Sequence, residues 1–261
     1  MPPSESTRTV RVRREPPRFR QMELRWVEPL NPHMARVTFG GPDLEGLQIN
    51  EPAASVRLLI PSPTADTLVM PEWNGNEFLL GDGQRPTIRT FTPRRVDPEA
   101  LELDLDVVLH EGGAVSDWVG RAVPGDPAAV SGPGRGYTVD SAAASFLLAG
   151  DQTAIPAICQ LVEAIPIETP VEVIIEIVQP DARLGLPDHP RLRQEWLEPA
   201  PGEPPGSALV MAMTAATVAA GTKVWVAGEA AAMHRIRTGL FDARGMNRTD
   251  VTVRGYWKHG R

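Results

Sequence analysis

Residues 89–95 read Arg-Thr-Phe-Thr-Pro-Arg-Arg, placing a cation, an aromatic ring and a hydroxyl within four positions before a proline ends the run. A guanidinium can fork onto a phosphate, a ring can stack on a flat heterocycle, and a hydroxyl can hydrogen-bond at its edge. On a strand, residues i and i+2 share a face. Arg89 and Phe91 therefore project together, and Thr92 must use its backbone or a local twist. Such a set suits a ledge for a planar, phosphorylated cofactor. An ordinary exposed strand beside the breaker-rich GDGQRPT would carry the same residues, so the tetrapeptide alone leaves both readings open.

Other chemistries are thinner. The single cysteine, Cys159, excludes an internal disulfide, and in AIPAICQLVEAI it reads as a buried helix residue. The five histidines, His33, His110, His189, His234 and His259, are too scattered for a paired metal motif. The formal net charge is −7, with a sequence pI near 5.3, so no global field favours nucleic acid. An anionic ligand would need a local basic pocket. The opening MPPSESTRTVRVRREPP has no apolar run, which predicts neither a signal peptide nor a membrane span and points to the cytoplasm.

The elements that must position the ledge come next. Proline and glycine make 50 of 261 residues, below the share that signals disorder, so the breakers predict short strands and many turns. Residues 1–18 read as a solvated basic tail or a docking arm for an acidic partner. From Arg20, FRQMELRWVEPL, MARVTFGG, ASVRLLIP, EFLL, IRTFTPRR and LELDLDVVLH are strand-like runs parted by Gly, Pro, Asn and Asp. In the last of these Leu101, Leu103, Leu105 and Val107 face one way and acids the other. About six strands without a convincing helix between them predict an antiparallel barrel over 19–140. AVSDWVGRAV then gives one short helix, and GDPAAVSGPGRGY a strand entering a Gly-rich turn.

Past Ser145 the pattern changes. FLLAG, VEVIIEIV, KVWVAG and DVTVRGYW read as strands, and ALVMAMTAA as a further strand leading into a helix or loop. DQTAIPAICQLVEAI and EAAAMHRIRTGLFDARG read as helices, the first capped by Thr153 and the second closed by Gly245. EPAPGEPPGSA is a Pro-rich surface loop. Strand and helix in alternation predict a Rossmann-like α/β domain over 141–261.

PHMARVTFGGPDL, VRLLIP, RTFTPRR, VVLH, AVPGDPAAVSGPGRGY, LLAGDQTAIPAI, VWVAGEAAAMHRIR and GYWKHG, in that order, resemble the siderophore-interacting branch of the ferredoxin reductase superfamily, the ferric-siderophore reductases. The resemblance covers roughly residues 20–261. It implies a flavin-binding barrel followed by a nicotinamide-binding sheet, and an FAD enzyme that uses NADPH or NADH to reduce a ferric siderophore and release ferrous iron. It implies FAD contacts from Arg89, Thr90, Phe91 and Thr92, and from a Gly-rich loop containing His110, Gly112, Gly113 and Ser116. In that loop Ala114 and Val115 stand where the family has proline. Trp257, beside Tyr256 in the closing GYWKHG, is similar to the family's terminal aromatic, which covers the flavin or plugs the domain seam. Gly150, Asp151 and Thr153, with Gly228 and Glu229, match the family's nicotinamide segments, although Gln152 replaces a glutamate. Arg57, Arg135 and Lys258 match its substrate cations and are expected to converge. Arg183, Arg235 and Arg237 are candidates for holding a 2′-phosphate. The alternatives are a same-fold flavin oxidoreductase served by ferredoxin or another electron partner, and a non-catalytic iron-siderophore binding module. A monomer is expected.

Overall fold

The computed structural model describes residues 18–63 and 67–260; all of the basic tail but Arg18 lies outside them. The first half contains β1 (Arg20–Asn31), β2 (Met34–Gly40), β3 (Val56–Ile60), β4 (Glu72–Trp73), β5 (Phe78–Leu79), β6 (Thr87–Phe91), β7 (Pro93–Asp97), β8 (Glu102–Val108), the helix α1 (Ala114–Val119) and β9 (Pro127–Ser131). β4 and β5 pair as a separate small hairpin. The other seven form one sheet in the order β6-β3-β9-β1-β2-β8-β7, every pair antiparallel. β6 and β7 are one run of chain interrupted only at Thr92, yet they occupy opposite ends of that order. A single kinked strand therefore supplies both edges, and the sheet closes as the expected six-stranded barrel.

Alternation fills its interior. Leu24, Val37, Phe39, Leu58, Leu103 and Leu105 are essentially inaccessible, and Trp118 of α1 stacks on Phe39 at 6.0 Å between ring centroids. The acids of β8 face outward and are paired across strands, Asp106 with both ends of the Arg36 guanidinium at 2.7 and 2.9 Å, Asp104 with the Thr38 hydroxyl at 2.7 Å. Leu101 leaves the expected stripe: it precedes β8 in a left-handed turn (φ 53°) and only leans on the core.

The second half contains β10 (Ser145–Asp151), α2 (Ile155–Ala164), β11 (Val171–Glu176), β12 (Leu192–Leu197), α3 (Ser207–Ala215), β13 (Thr222–Glu229), α4 (Ala230–Thr238) and β14 (Val251–Trp257). Its sheet runs β12-β11-β10-β13-β14, parallel throughout. Ile155, Ile158, Leu161 and Val162 bury α2 on the face turned toward the barrel, where Met34 and Ala53 join the same cluster. α3 and α4 bury Leu209, Met213, Met233 and Ile236 on the opposite face.

Two expectations need correction. ALVMAMTAA is the helix α3, not a strand: it is apolar on nearly every side, so its periodicity cannot separate the two states, and its Ala, Leu and Met content favours helix. LRQEWL, unremarked in the sequence, is β12, an edge strand whose exposed Arg193, Gln194 and Glu195 hide the apolar signal. The cap before α2 is also Asp151 rather than Thr153, because one tight turn (Gln152–Ala154) precedes the helix and the carboxylate accepts from the Thr153 amide.

The halves are joined by polar contacts as well as by core. Arg94 forks onto Glu163. Gln160 accepts from the Ala53 amide at 2.9 Å and donates to the Pro93 carbonyl at 2.7 Å. Arg254 of β14 donates to the carbonyls of Ala53, Arg135 and Gly136, all on the barrel side.

Candidate functional site

The kink at Thr92 faces the carboxyl ends of the parallel strands. Thr92 is buried, and its side chain approaches the Tyr256 hydroxyl on β14, whose pKa is raised chiefly by burial while Thr92 and Arg254 pull it down. Thr92 thus meets the second half with its own side chain. Upstream, Phe91 pairs with Val56 and Arg89 with Leu58 across β3, so the two share a face as alternation requires. Phe91 is half-buried against the barrel core. Arg89 is exposed, and its guanidinium donates to the Ile88 carbonyl at 2.9 Å. Thr90 lies on the other face, directly opposite Arg57.

The Gly-rich loop follows β8. Gly112 has φ 72°, a conformation open to glycine at little strain. Gly113 is the N-cap of α1, and a Cβ there would stand 2.6 Å from the His110 ring and 2.9 Å from the Ser116 hydroxyl. Ser116 accepts from the His110 amide at 3.1 Å, which folds the loop back on its helix. No side chain caps the first turn of α1.

At the sheet edge, Gly150, Asp151, Thr153, Gly228 and Glu229 come together. Oδ1 of Asp151 accepts from the Thr153 amide and hydroxyl, at 2.9 and 2.5 Å. Its Oδ2 accepts from the Glu229 amide at 2.9 Å and from Nε1 of Trp257 at 2.7 Å. Burial pushes the Asp151 carboxyl up, against the pull of these donors. Burial also works upward on Glu229, but the amides of Ala232, His259 and Ala231 carry it below the usual carboxylate range. Gln152 is buried, and its Oε1 accepts from the Val178 amide at 3.2 Å.

Arg57, Arg135 and Lys258 are all exposed, and none forms a salt bridge among the described residues. Arg57 pairs with Ser131, and four residues on the Arg135 carbonyl is held by Arg254. Arg57 lies opposite Thr90 across β3, and Lys258 follows the Tyr256–Trp257 pair of β14. Arg235 and Arg237 sit instead in the last turn of α4, away from that edge, and Arg237 donates to the Val253 carbonyl. Cys159 is buried in α2, its thiol pushed up to about 11 by burial. The open hollow lined by Ser145, Pro170, Arg191 and Thr217 lies at the amino ends of the strands, opposite the seam.

Sequence reasoning missed two contributors. Arg254 fastens the seam, and Glu176 at the end of β11 accepts from the Gly206 and Leu209 amides at 2.6 and 2.9 Å. An acid inside the apolar run VEVIIEIV was the available signal for the second.

Residues 23–137 match the model of the siderophore-interacting FAD-binding domain, and residues 143–260 that of the siderophore-interacting protein. A siderophore utilization protein from T. fusca has the same structure with a TM-score of 0.83 and 32% identity, covering 95% of each chain. The chain belongs to the siderophore-interacting protein family. Another relative is the ferric vibriobactin reductase ViuB of Vibrio cholerae, 26% identical over 88% of this chain and 85% of its own. The fold alone is shared with a ferredoxin NADP+ reductase from Neisseria gonorrhoeae, at 14% identity and a TM-score of 0.64, covering 92% of this chain and 99% of that one.

This chain's own surface suits the family's FAD. Arg89 presents an exposed guanidinium that, among the described residues, bonds only to its neighbour's carbonyl. Gly112 stands in open space ahead of the uncapped first turn of α1, while the room left by Gly113 is taken by the His110 ring and the Ser116 hydroxyl. Phe91, on the same strand face as Arg89, offers a partly open ring. Among the described residues no group of His, Cys, Asp or Glu could hold a metal ion, and no helix is long and apolar enough to cross a membrane.

Proposed function

We propose that the protein is an FAD-dependent ferric-siderophore reductase of the cytoplasm, driven by NADH or NADPH and releasing ferrous iron. The observation that supports this reading is the approach of Thr92, at the end of the Arg89–Thr92 run, to Tyr256 on β14, beside a Trp257 that donates to Asp151. Bound FAD would take a hydride from a dihydronicotinamide and pass the two electrons singly to two ferric centres.

The protein's own residues bind and place. Arg89 and the loop at Gly112, Gly113 and Ser116 hold the diphosphate, Phe91 lies against the ring system, and Thr90 lines the ledge. Thr92, fixed by Tyr256, sets the height of the strand at the seam. Trp257, pinned to Asp151, screens the ring from water on the side of the sheet. Arg57, Arg135 and Lys258 draw in an anionic iron complex, whose hard oxygen donors favour ferric over ferrous iron. One-electron reduction loosens that grip, so the enzyme has no proton to move at the metal; its contribution is proximity.

The test is a visible spectrum of the purified protein under anaerobic conditions. A yellow protein that bleaches on adding NADH or NADPH, and recovers on adding a ferric siderophore with ferrous iron appearing in a chelator assay, is the expected result. Protein that stays yellow with both nicotinamides but bleaches with reduced ferredoxin would replace the donor. Protein that takes up no flavin yet binds the iron complex would replace catalysis with carriage.

A further inference from the structure

In a dinucleotide-binding sheet the helix N-termini at the carboxyl edge attract the diphosphate, because their free amides and dipole present positive charge. Here carboxylates of the chain itself already take the first amides of α3 and α4 and those of the tight turn that leads into α2. Asp151, ending β10, accepts from the Thr153 amide ahead of α2. Glu176, ending β11, accepts from the Gly206 and Leu209 amides at the start of α3, at 2.6 and 2.9 Å. Glu229, ending β13, accepts from the Ala231 and Ala232 amides at the start of α4, also at 2.6 and 2.9 Å. All three acids are buried.

The glycines of this edge make room for protein rather than for a ligand. A Cβ on Gly228 would stand 2.6 Å from Oδ2 of Asp151, one on Gly150 2.6 Å from the Ala227 carbonyl, and one on Gly206 2.3 Å from the Ala232 methyl. The end of the chain closes over the same place. Trp257 donates to Asp151, and the His259 amide to Glu229 at 3.2 Å.

We propose that Asp151, Glu176 and Glu229 keep the ADP half of a nicotinamide donor off this edge, so that the donor is recognised through its dihydronicotinamide end alone. The proposal rests on the nicotinamide-driven reading above. A diphosphate approaching such a terminus meets a carboxylate in place of free amides, and the interaction changes sign. The 2′-phosphate that distinguishes NADPH from NADH lies on the unheld half, so the two are used alike. A reduced nicotinamide mononucleotide, with no ADP at all, surrenders the same hydride, leaves the same oxidised pyridinium ring, and serves nearly as well.

The test uses the FAD-loaded protein. Calorimetric titration with ADP-ribose and with its 2′-phosphate is expected to show no binding tighter than about 1 mM. Anaerobic bleaching by NADH, NADPH and reduced nicotinamide mononucleotide is expected to give second-order rate constants within about tenfold of one another. An ADP-ribose affinity better than about 0.1 mM, or a dinucleotide preference of about a hundredfold or more, overturns the proposal. Glu176→Ala bares the α3 amides beside the buried Ser207 hydroxyl, which has no hydrogen-bond partner among the described residues, and should tighten ADP-ribose binding by at least about tenfold. Unchanged affinity in that variant overturns the role of the carboxylates; should it not fold, the wild-type titration still decides. If no nicotinamide bleaches the flavin but a ferric siderophore reoxidises the dithionite-reduced protein, the nicotinamide reading falls, and the ADP-ribose titration judges this proposal separately.

Discussion

Arg89 and Arg57 stand on neighbouring strands, yet their surroundings assign them different work. Arg89 shares its face with Phe91, and Arg57 shares the other with Thr90. Arg89→Ala should therefore weaken FAD binding by roughly 10- to 100-fold, the worth of one or two charge-assisted hydrogen bonds, as read by flavin fluorescence on titrating apoprotein. Arg57→Ala should leave that affinity within about twofold and raise KM for an anionic ferric siderophore by several-fold. Equal losses of flavin in both variants would place the diphosphate elsewhere. At this scale the sequence was informative where chemistry and alternation coincide, as at Arg89 and Phe91. It was silent on Thr92, whose side-chain partner Tyr256 lies 164 positions along the chain and is brought near only by the packing of β14 against the barrel.

Among the elements, the connection between the halves is moored by one lysine. Lys223 of β13 reaches Asp140, in the segment joining barrel to sheet, at 3.1 Å, and Asp250, just before β14, at 2.9 Å. The bond to Lys223 holds both carboxyls below their ordinary value, and those to Asp250 and Asp140 raise Lys223. A carboxyl with a lowered folded pKa stabilises the fold above its unfolded value of about 4 and loses that contribution as pH falls through the folded value. The raised lysine contributes below its unfolded value of about 10.4 and stops doing so as pH climbs through the folded one. Thermal melts of the wild type should thus hold level between those limits and decline on the acid side. In Lys223→Met the plateau should be lower and the acid decline shallower, because both carboxyls return toward their unfolded value and that pH-dependent contribution disappears. Identical acid limbs would show that the lysine moors nothing. Element identity was legible wherever apolar period and breakers agreed, as in β8, β10 and α2. It failed at α3, where an unbroken apolar surface erases the period, and at β12, where an edge strand needs no apolar alternation because one side meets water.

Across the whole molecule, charge sets a conflict. The chain carries a formal −7, while Arg57, Arg135 and Lys258, proposed above as a local positive rim, are exposed. Fields add, and salt screens them over about 8–10 Å at ordinary ionic strength. If the rim governs capture, kcat/KM for a multiply charged anionic ferric complex should fall about three- to tenfold between 20 and 200 mM salt, and a neutral ferric hydroxamate should change less than about twofold. A rate that rises with salt for the anion would show the global field in command. The order of barrel and wound sheet could be read from the run of strand and helix patterns. The seam could not, since Arg254, Gln160 and Arg94 find partners across it that no local pattern announces.

The strand kinked at Thr92 has a consequence for how copies of this chain behave when crowded. Because residues 87–97 serve as both margins of the barrel, the seven-stranded sheet closes on itself and offers no full-length free edge on which a neighbour could polymerise. Among the described residues the long free edges belong to the parallel sheet. One is β12, where Arg193, Gln194 and Glu195 stand outward as charged and polar deterrents; the other is β14, where Arg237 already occupies the Val253 carbonyl. Resistance to fibre growth is thus built unevenly, by topology in one half and by side chains in the other.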